Sequence, residues 1–176
     1  MNVEKLRDSV RNVPDFPIPG IQFKDVTTLF IDPKILDELS EGLVEMYKDK
    51  GVSKVVGIES RGFIMGPMLA RDLNAGFVPI RKPGKLPAET YEISYMKEYG
   101  SDTIQIHRDA INENDIVVLH DDLLATGGTM LAAVQLIKKF NPKKIYVNFL
   151  IELEELNGRK LFDPDIEVEA IIKYAV

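Results

Sequence analysis

Residues 116–130 read IVVLHDDLLATGGTM. Ile116-Val117-Val118-Leu119 is an unbroken apolar run, the pattern of a strand covered on both faces, as in a parallel sheet. Asp121 and Asp122 follow almost at once. Ala125-Thr126-Gly127-Gly128-Thr129 is a turn of small residues, and the run behind it has helical spacing. A strand, a glycine turn and a helix in that order put the turn at the carboxyl edge of a sheet. Amides of such a turn can aim at one point, and the helix adds its N-terminal dipole, which suits a phosphate monoester. Glycines let the backbone approach closely, and the hydroxyls of Thr126 and Thr129 add donors. Two carboxylates beside the turn can hold vicinal hydroxyls, a metal or a cationic partner. A capped helix after an acidic loop is the plain alternative. It accounts for a bare Gly-Gly turn better than for the whole string. Neither G-x-x-x-x-G-K-[ST] nor G-x-G-x-x-G occurs.

Working outward, Val3, Leu6 and Val10 predict a short helix over 2–12. Pro14, Pro17, Pro19 and Gly20 open an extended loop. Asp32-Pro33 reads as an N-cap and first helical position. Ile35, Leu36, Leu39, Leu43, Met46 and Tyr47 form that helix's apolar face, and Gly51 ends it. KVVGI at 54–58 is a short strand, 63–73 a helix, and 76–81 another strand. Residues 82–102 are polar and carry Pro83, Gly84, Pro87 and Gly100, a long loop. Strands follow at 103–107, 116–119 and 145–151, with a helix at 128–140. Strands alternating with helices imply an α/β fold, a central mostly parallel sheet flanked by helices, in a single domain over 1–176. Ligands bind at the carboxyl ends of such strands. That rule selects 59–62, the segment from Arg81 onward, and 121–129.

Bulk properties narrow the partners. The chain has 28 acidic and 22 basic residues, a net charge of −6, which argues against a nucleic-acid backbone as ligand. A local basic cluster can still dominate one cleft. There is no cysteine, so disulfides and thiolate metal sites are excluded. No apolar run approaches the roughly 18–20 residues of a membrane span, and the N-terminus lacks a signal-peptide core. The expected location is the cytoplasm. His107 and His120 are the only histidines, and neither has a partner at metal-ligand spacing. His107 has no assigned role, and His120 is expected near the site but not in the chemistry.

VVLHDDLLATGGT closely resembles the phosphoribosyl pyrophosphate (PRPP) motif of the type I phosphoribosyltransferases, in the form carried by members that use adenine. DFPIPGIQFKDVTTL (15–29), GIESRGF (57–63), IRKPGKLP (80–87) and EYGSDTIQIHRDAI (98–111) resemble further segments of the same family, in the same order. The likeness extends to about residue 155. His120 and Lys97 depart from the usual pattern. The resemblance implies transfer of the 5-phosphoribosyl group from PRPP to adenine, giving AMP and pyrophosphate, with Mg²⁺ carried mainly by PRPP and no direct protein ligands to it. It implies the 5-phosphate on Ala125, Thr126, Gly127, Gly128 and Thr129, and the ribose on Asp121 and Asp122. Pyrophosphate falls to Arg61, Arg81, Lys82 and Lys85. It implies adenine under an N-terminal hood of about 1–30, by Phe23 and Lys24. It implies a mobile loop of about 82–102 that closes on the site, bearing Tyr99 and the catalytic Glu98, and a homodimer. Two other expectations stay open: transfer to a different base, and a PRPP-binding regulator without turnover. A panel of bases and a DNA-binding assay separate them.

Overall fold

The computed structural model describes residues 1–96 and 100–175. Backbone contacts divide the chain into two compact units, Met1–Met46 and Tyr47–Val176. In the first, α1 (Val3–Asp8) is capped by Asn2, whose side chain accepts from the Lys5 amide at 3.1 Å. The helix expected over 2–12 stops at Asp8, because Arg11–Pro14 (β1) pairs antiparallel with Gln22–Asp25 (β2). Long-range pairing overrides local helical spacing there. After α2 (Thr28–Ile31), Asp32 caps α3 (Pro33–Tyr47) as its sequence requires, accepting from the Lys34 amide at 2.9 Å.

The second unit runs β3 (Lys54–Ile58), α4 (Gly62–Asp72), β4 (Gly76–Ile80), β5 (Thr90–Met96), β6 (Ser101–His107), β7 (Ile116–Leu124), α5 (Gly128–Lys138), β8 (Lys144–Leu153) and β9 (Glu167–Tyr174). Two short 3-10 turns, Glu154–Leu156 and Gly158–Leu161, lie between β8 and β9. The sheet has the order β4-β3-β7-β8-β9, and all its pairings are parallel. Its core joins Val56, Ile58, Val78, Ile80, Val117, Leu119, Val147 and Phe149 to Met130, Ala133, Val134 and Ile137 of α5. Burying such side chains contributes roughly 1.5–3 kcal/mol each, which is what ties the α5 turn to the sheet.

The strand order fixes the site. From β3 the chain crosses outward to β4, and from β7 it crosses the other way to β8. With right-handed crossovers, α4 and α5 then cover opposite faces. The order reverses between β3 and β7, and a crevice opens at the carboxyl ends of those two strands. β3 pairs with β7 only as far as Gly57 opposite His120, whereas β8 follows β7 to Leu124 opposite Glu152. Residues 121–124 therefore project past β3.

Three expectations change. The strand expected over 116–119 continues to Leu124, so the aspartates lie within it rather than after it. The segment 82–102 is not wholly loop, since β5 forms a hairpin with β6 in which Tyr95 faces Asp102. The C-terminal residues, for which no element was expected, supply the edge strand β9.

Candidate active site

α4 begins with Gly62 pressed on β7: a Cβ there would lie 2.8 Å from the His120 carbonyl oxygen and 3.5 Å from the Asp121 Cα. Any side chain would lift the helix off the strand. The close approach brings Arg61, just ahead of the helix, to Asp122, whose carboxylate accepts from the guanidinium Nε. Asp122 is buried, so this pairing is what permits its charge there. Asp121 points to the other face, and its own Oδ1 accepts from the Asp122 amide at 2.9 Å. Burial, and then the neighbouring Asp122 carboxylate, push the Asp121 carboxyl well above the usual carboxylate range, with Arg61 opposing the shift.

Asp121 and the turn 125–129 line one cavity of about 120 Å³, with Leu123, Leu124, Met130 and Phe149 as its apolar part. Gly127 sits at φ +84°, a left-handed conformation open to glycine at little strain. Leu131 makes the first intrahelical bond, to the Gly127 carbonyl at 2.9 Å, and no side chain caps the helix. The amides of Gly128, Thr129 and Met130 precede that bond, as the donors at a helix N-terminus do. A Cβ on Gly128 would meet nothing within 4 Å. The turn thus presents backbone donors beside an acid, an arrangement with the chemistry of an anion cradle.

The basic residues do not converge freely on one point. Arg81 donates to Glu59 through Nε at 3.2 Å and Nη2 at 3.3 Å, and the Lys82 amide donates to the same carboxylate at 3.1 Å. Those bonds hold the Glu59 carboxyl below its usual range, the Arg81 side chain contributing most. The Lys82 ammonium is bonded to Asp102. Lys85 is exposed, and its carbonyl lies 3.4 Å from Arg81 Nη1. Asp102 also lies 3.4 Å from the Tyr95 hydroxyl, which is 3.1 Å from the Thr129 hydroxyl. The β5–β6 hairpin thus touches the anion cradle.

Phe23 and Lys24 lie in β2 of the first unit. Phe23 packs edge-on against Phe16 at 5.1 Å, and Lys24 donates to Asn12 Oδ1 at 3.0 Å. Glu98 and Tyr99 lie outside the described residues. Sequence reasoning missed Glu59, Tyr95 and Asp102. Glu59 follows a strand in one of the three selected loops, and that position was its only signal. Tyr95 and Asp102 had none, because the hairpin that joins them was read as loop.

A model of the phosphoribosyl transferase domain matches residues 25–172. Adenine phosphoribosyltransferase of Bacteroides thetaiotaomicron is 69% identical over 172 residues, 98% of each chain. The crystal structure of adenine phosphoribosyltransferase from Rhodothermus marinus superposes with a TM-score of 0.91 at 48% identity, covering 98% of each chain. That of the Giardia lamblia enzyme complexed with 9-deazaadenine gives 0.93 at 39% identity, covering 100% of this chain and 99% of that one.

Proposed function

Since the chain belongs to the phosphoribosyl transferase family, we propose that it makes AMP and pyrophosphate from adenine and PRPP, a purine-salvage reaction. The observation that carries this is the cavity at the carboxyl end of β7, shared by Asp121 and the 125–129 turn. The turn takes the 5-phosphate on the amides of 128–130 and the hydroxyls of Thr126 and Thr129. Asp121 and Asp122 take the ribose hydroxyls from opposite faces of β7. Arg61, Arg81, Lys82 and Lys85 take the pyrophosphate, the first three by leaving or sharing their present carboxylates. Phe23 and Lys24 receive the adenine.

The base nitrogen displaces pyrophosphate at C1 of the ribose, and charge builds up on the leaving group. Among the described residues no three acidic or histidine side chains form a metal cage. Asp121 and Asp122 are oxygen donors of the kind Mg²⁺ combines with substrate phosphates and water. The donor set fits Mg²⁺: Asp121 and Asp122 are the residues that would support an ion brought in by PRPP. When bound it neutralises the departing charge. The segment 82–102 closes over PRPP with Tyr99 and excludes water. The active form is a homodimer in the cytoplasm.

Glu98 handles a proton on the base. Glu98→Gln keeps the shape and loses the exchangeable proton, so single-turnover AMP formation should fall by roughly 10²–10⁴, with PRPP affinity little changed. A wild-type single-turnover rate in that variant removes Glu98 from the chemistry. The whole reading is tested by incubating the protein with PRPP, Mg²⁺ and adenine, hypoxanthine, guanine or orotate in turn. AMP should form, and should form fastest; no nucleotide from adenine sinks the assignment.

A further inference from the structure

Behind the anion cradle lies a segment that the reaction scheme leaves unused. Gly158 opens the second 3-10 turn after β8 and is buried. A Cβ there would lie 2.3 Å from the Ala125 carbonyl oxygen, 2.9 Å from Leu124 Cδ1 and 3.1 Å from the Thr126 carbonyl carbon. The contact is reciprocal, since a Cβ on Gly127 would lie 2.9 Å from the Gly158 carbonyl oxygen. Two glycines thus allow two stretches of backbone to touch, and one of them is the cradle itself.

The next residue anchors the segment. Arg159 grips Glu152 with its fork, Nε to Oε1 at 2.9 Å and Nη2 to Oε2 at 2.6 Å, and its Nη1 donates to the Val168 carbonyl on β9. Glu152 is 4% exposed and stands opposite Leu124, one residue before the cradle, in the β7–β8 ladder. Lys173 of β9 lies 4.0 Å from the same carboxylate. A closed circuit results: cradle to Gly158, Gly158 to Arg159, Arg159 to Glu152, and Glu152 through the ladder back to the cradle. Bidentate arginine–carboxylate pairs fix direction as well as distance.

We propose that Gly158 and Arg159 are positioning residues for the phosphate of PRPP: the Glu152–Arg159 pair holds Gly158 against residues 125–127, and that contact sets the direction of the cradle's amides. The inference rests on the reading of this turn as the 5-phosphate site. Neither residue touches the substrate. Their effect is geometric, and a misplacement of about 1 Å can cost on the order of 10²-fold.

The full chain is compared with Gly158→Ala, Arg159→Met and Arg159→Lys. Steady-state kinetics are measured for PRPP and adenine, and calorimetry gives the affinities for AMP and adenosine, which differ by the phosphate. In Gly158→Ala and Arg159→Met the KM for PRPP should rise roughly 10- to 100-fold, and AMP affinity should fall by a similar factor. The KM for adenine and the affinity for adenosine should hold. Arg159→Lys, which keeps the charge on Glu152 but loses the fork, should fall between. Unchanged PRPP KM and AMP affinity in both Gly158→Ala and Arg159→Met overturn the proposal. So does a uniform loss of active protein with normal KM in the remainder, which is what a merely structural role gives. If Gly158→Ala does not fold, the two Arg159 variants decide on the same criteria. A wild type that makes no AMP overturns the reaction assignment instead; the AMP-against-adenosine comparison reads the positioning without turnover.

Discussion

His120 shows how one residue couples the site strand to acid stability. Its side chain is fully buried, with Nδ1 2.8 Å from Asn148 Oδ1. An amide oxygen only accepts, so Nδ1 carries the proton, and Nε2 is a buried acceptor with no partner among the described residues. Burial pushes the pKa from 6.5 down to about 4. The unfolded chain binds a proton near pH 6.5 and the folded one not until about pH 4, so stability is lost as pH falls through that window. The fully developed loss from this group is roughly 3 kcal/mol. His120→Leu should remove it: between pH 7 and 4.5, urea-unfolding free energies of the variant should fall less than those of the wild type. Parallel curves would show that other groups govern the acid limb. At this scale the sequence was a partial guide. Asp121, Asp122 and the turn were legible because their chemistry lies in consecutive residues. The alternation that puts His120 and Asp122 on one face of β7 was hidden, since the strand outruns its apolar stretch. The Arg81–Glu59 and Lys82–Asp102 pairs join residues about twenty apart, and no local pattern announces them.

The β5–β6 hairpin is the element that reaches the 125–129 turn from outside the central sheet. Its Tyr91 and Tyr95 pack against the core, and Tyr95 reaches Thr129. Ahead of it, 83–85 is exposed. If this arm closes on PRPP, trypsin should cut after Lys85 more slowly when PRPP and Mg²⁺ are present. Fragment mass identifies the site, and equal rates with and without saturating ligand would argue against closure. Proline and glycine marked the stretch as irregular, and so concealed the strand within it. That strand alternates partly buried and exposed positions and draws its stability from β6, seven residue pairs that only the folded register supplies. β9 escaped for a related reason. Glu167, Glu169 and Lys173 interrupt an apolar pattern that makes sense once β8 lies alongside.

For the molecule as a whole, strands alternating with helices made the parallel α/β class legible, and the strand-end rule selected the loops in which the cavity and the Arg61 and Arg81 ion pairs lie. Strand order was not legible, because nothing local states which way a crossover turns; yet that order creates the crevice. The charge arrangement has its own outcome. The chain carries −6 overall, and Arg61, Arg81 and Lys82 are each already matched to a carboxylate. Proteins that draw anions in by long-range attraction show association rates that fall steeply with added salt. Here little unbalanced positive charge reaches into solution. Stopped-flow binding of PRPP at constant Mg²⁺ should give an association rate that stays within about threefold, or rises, as KCl goes from about 20 to 300 mM. A tenfold fall would mean that these cations act at a distance. Recognition would then follow encounter: a polyanion that meets little attracting field gains its hold on these three side chains only as each exchanges a carboxylate of its own chain for an oxygen of the ligand.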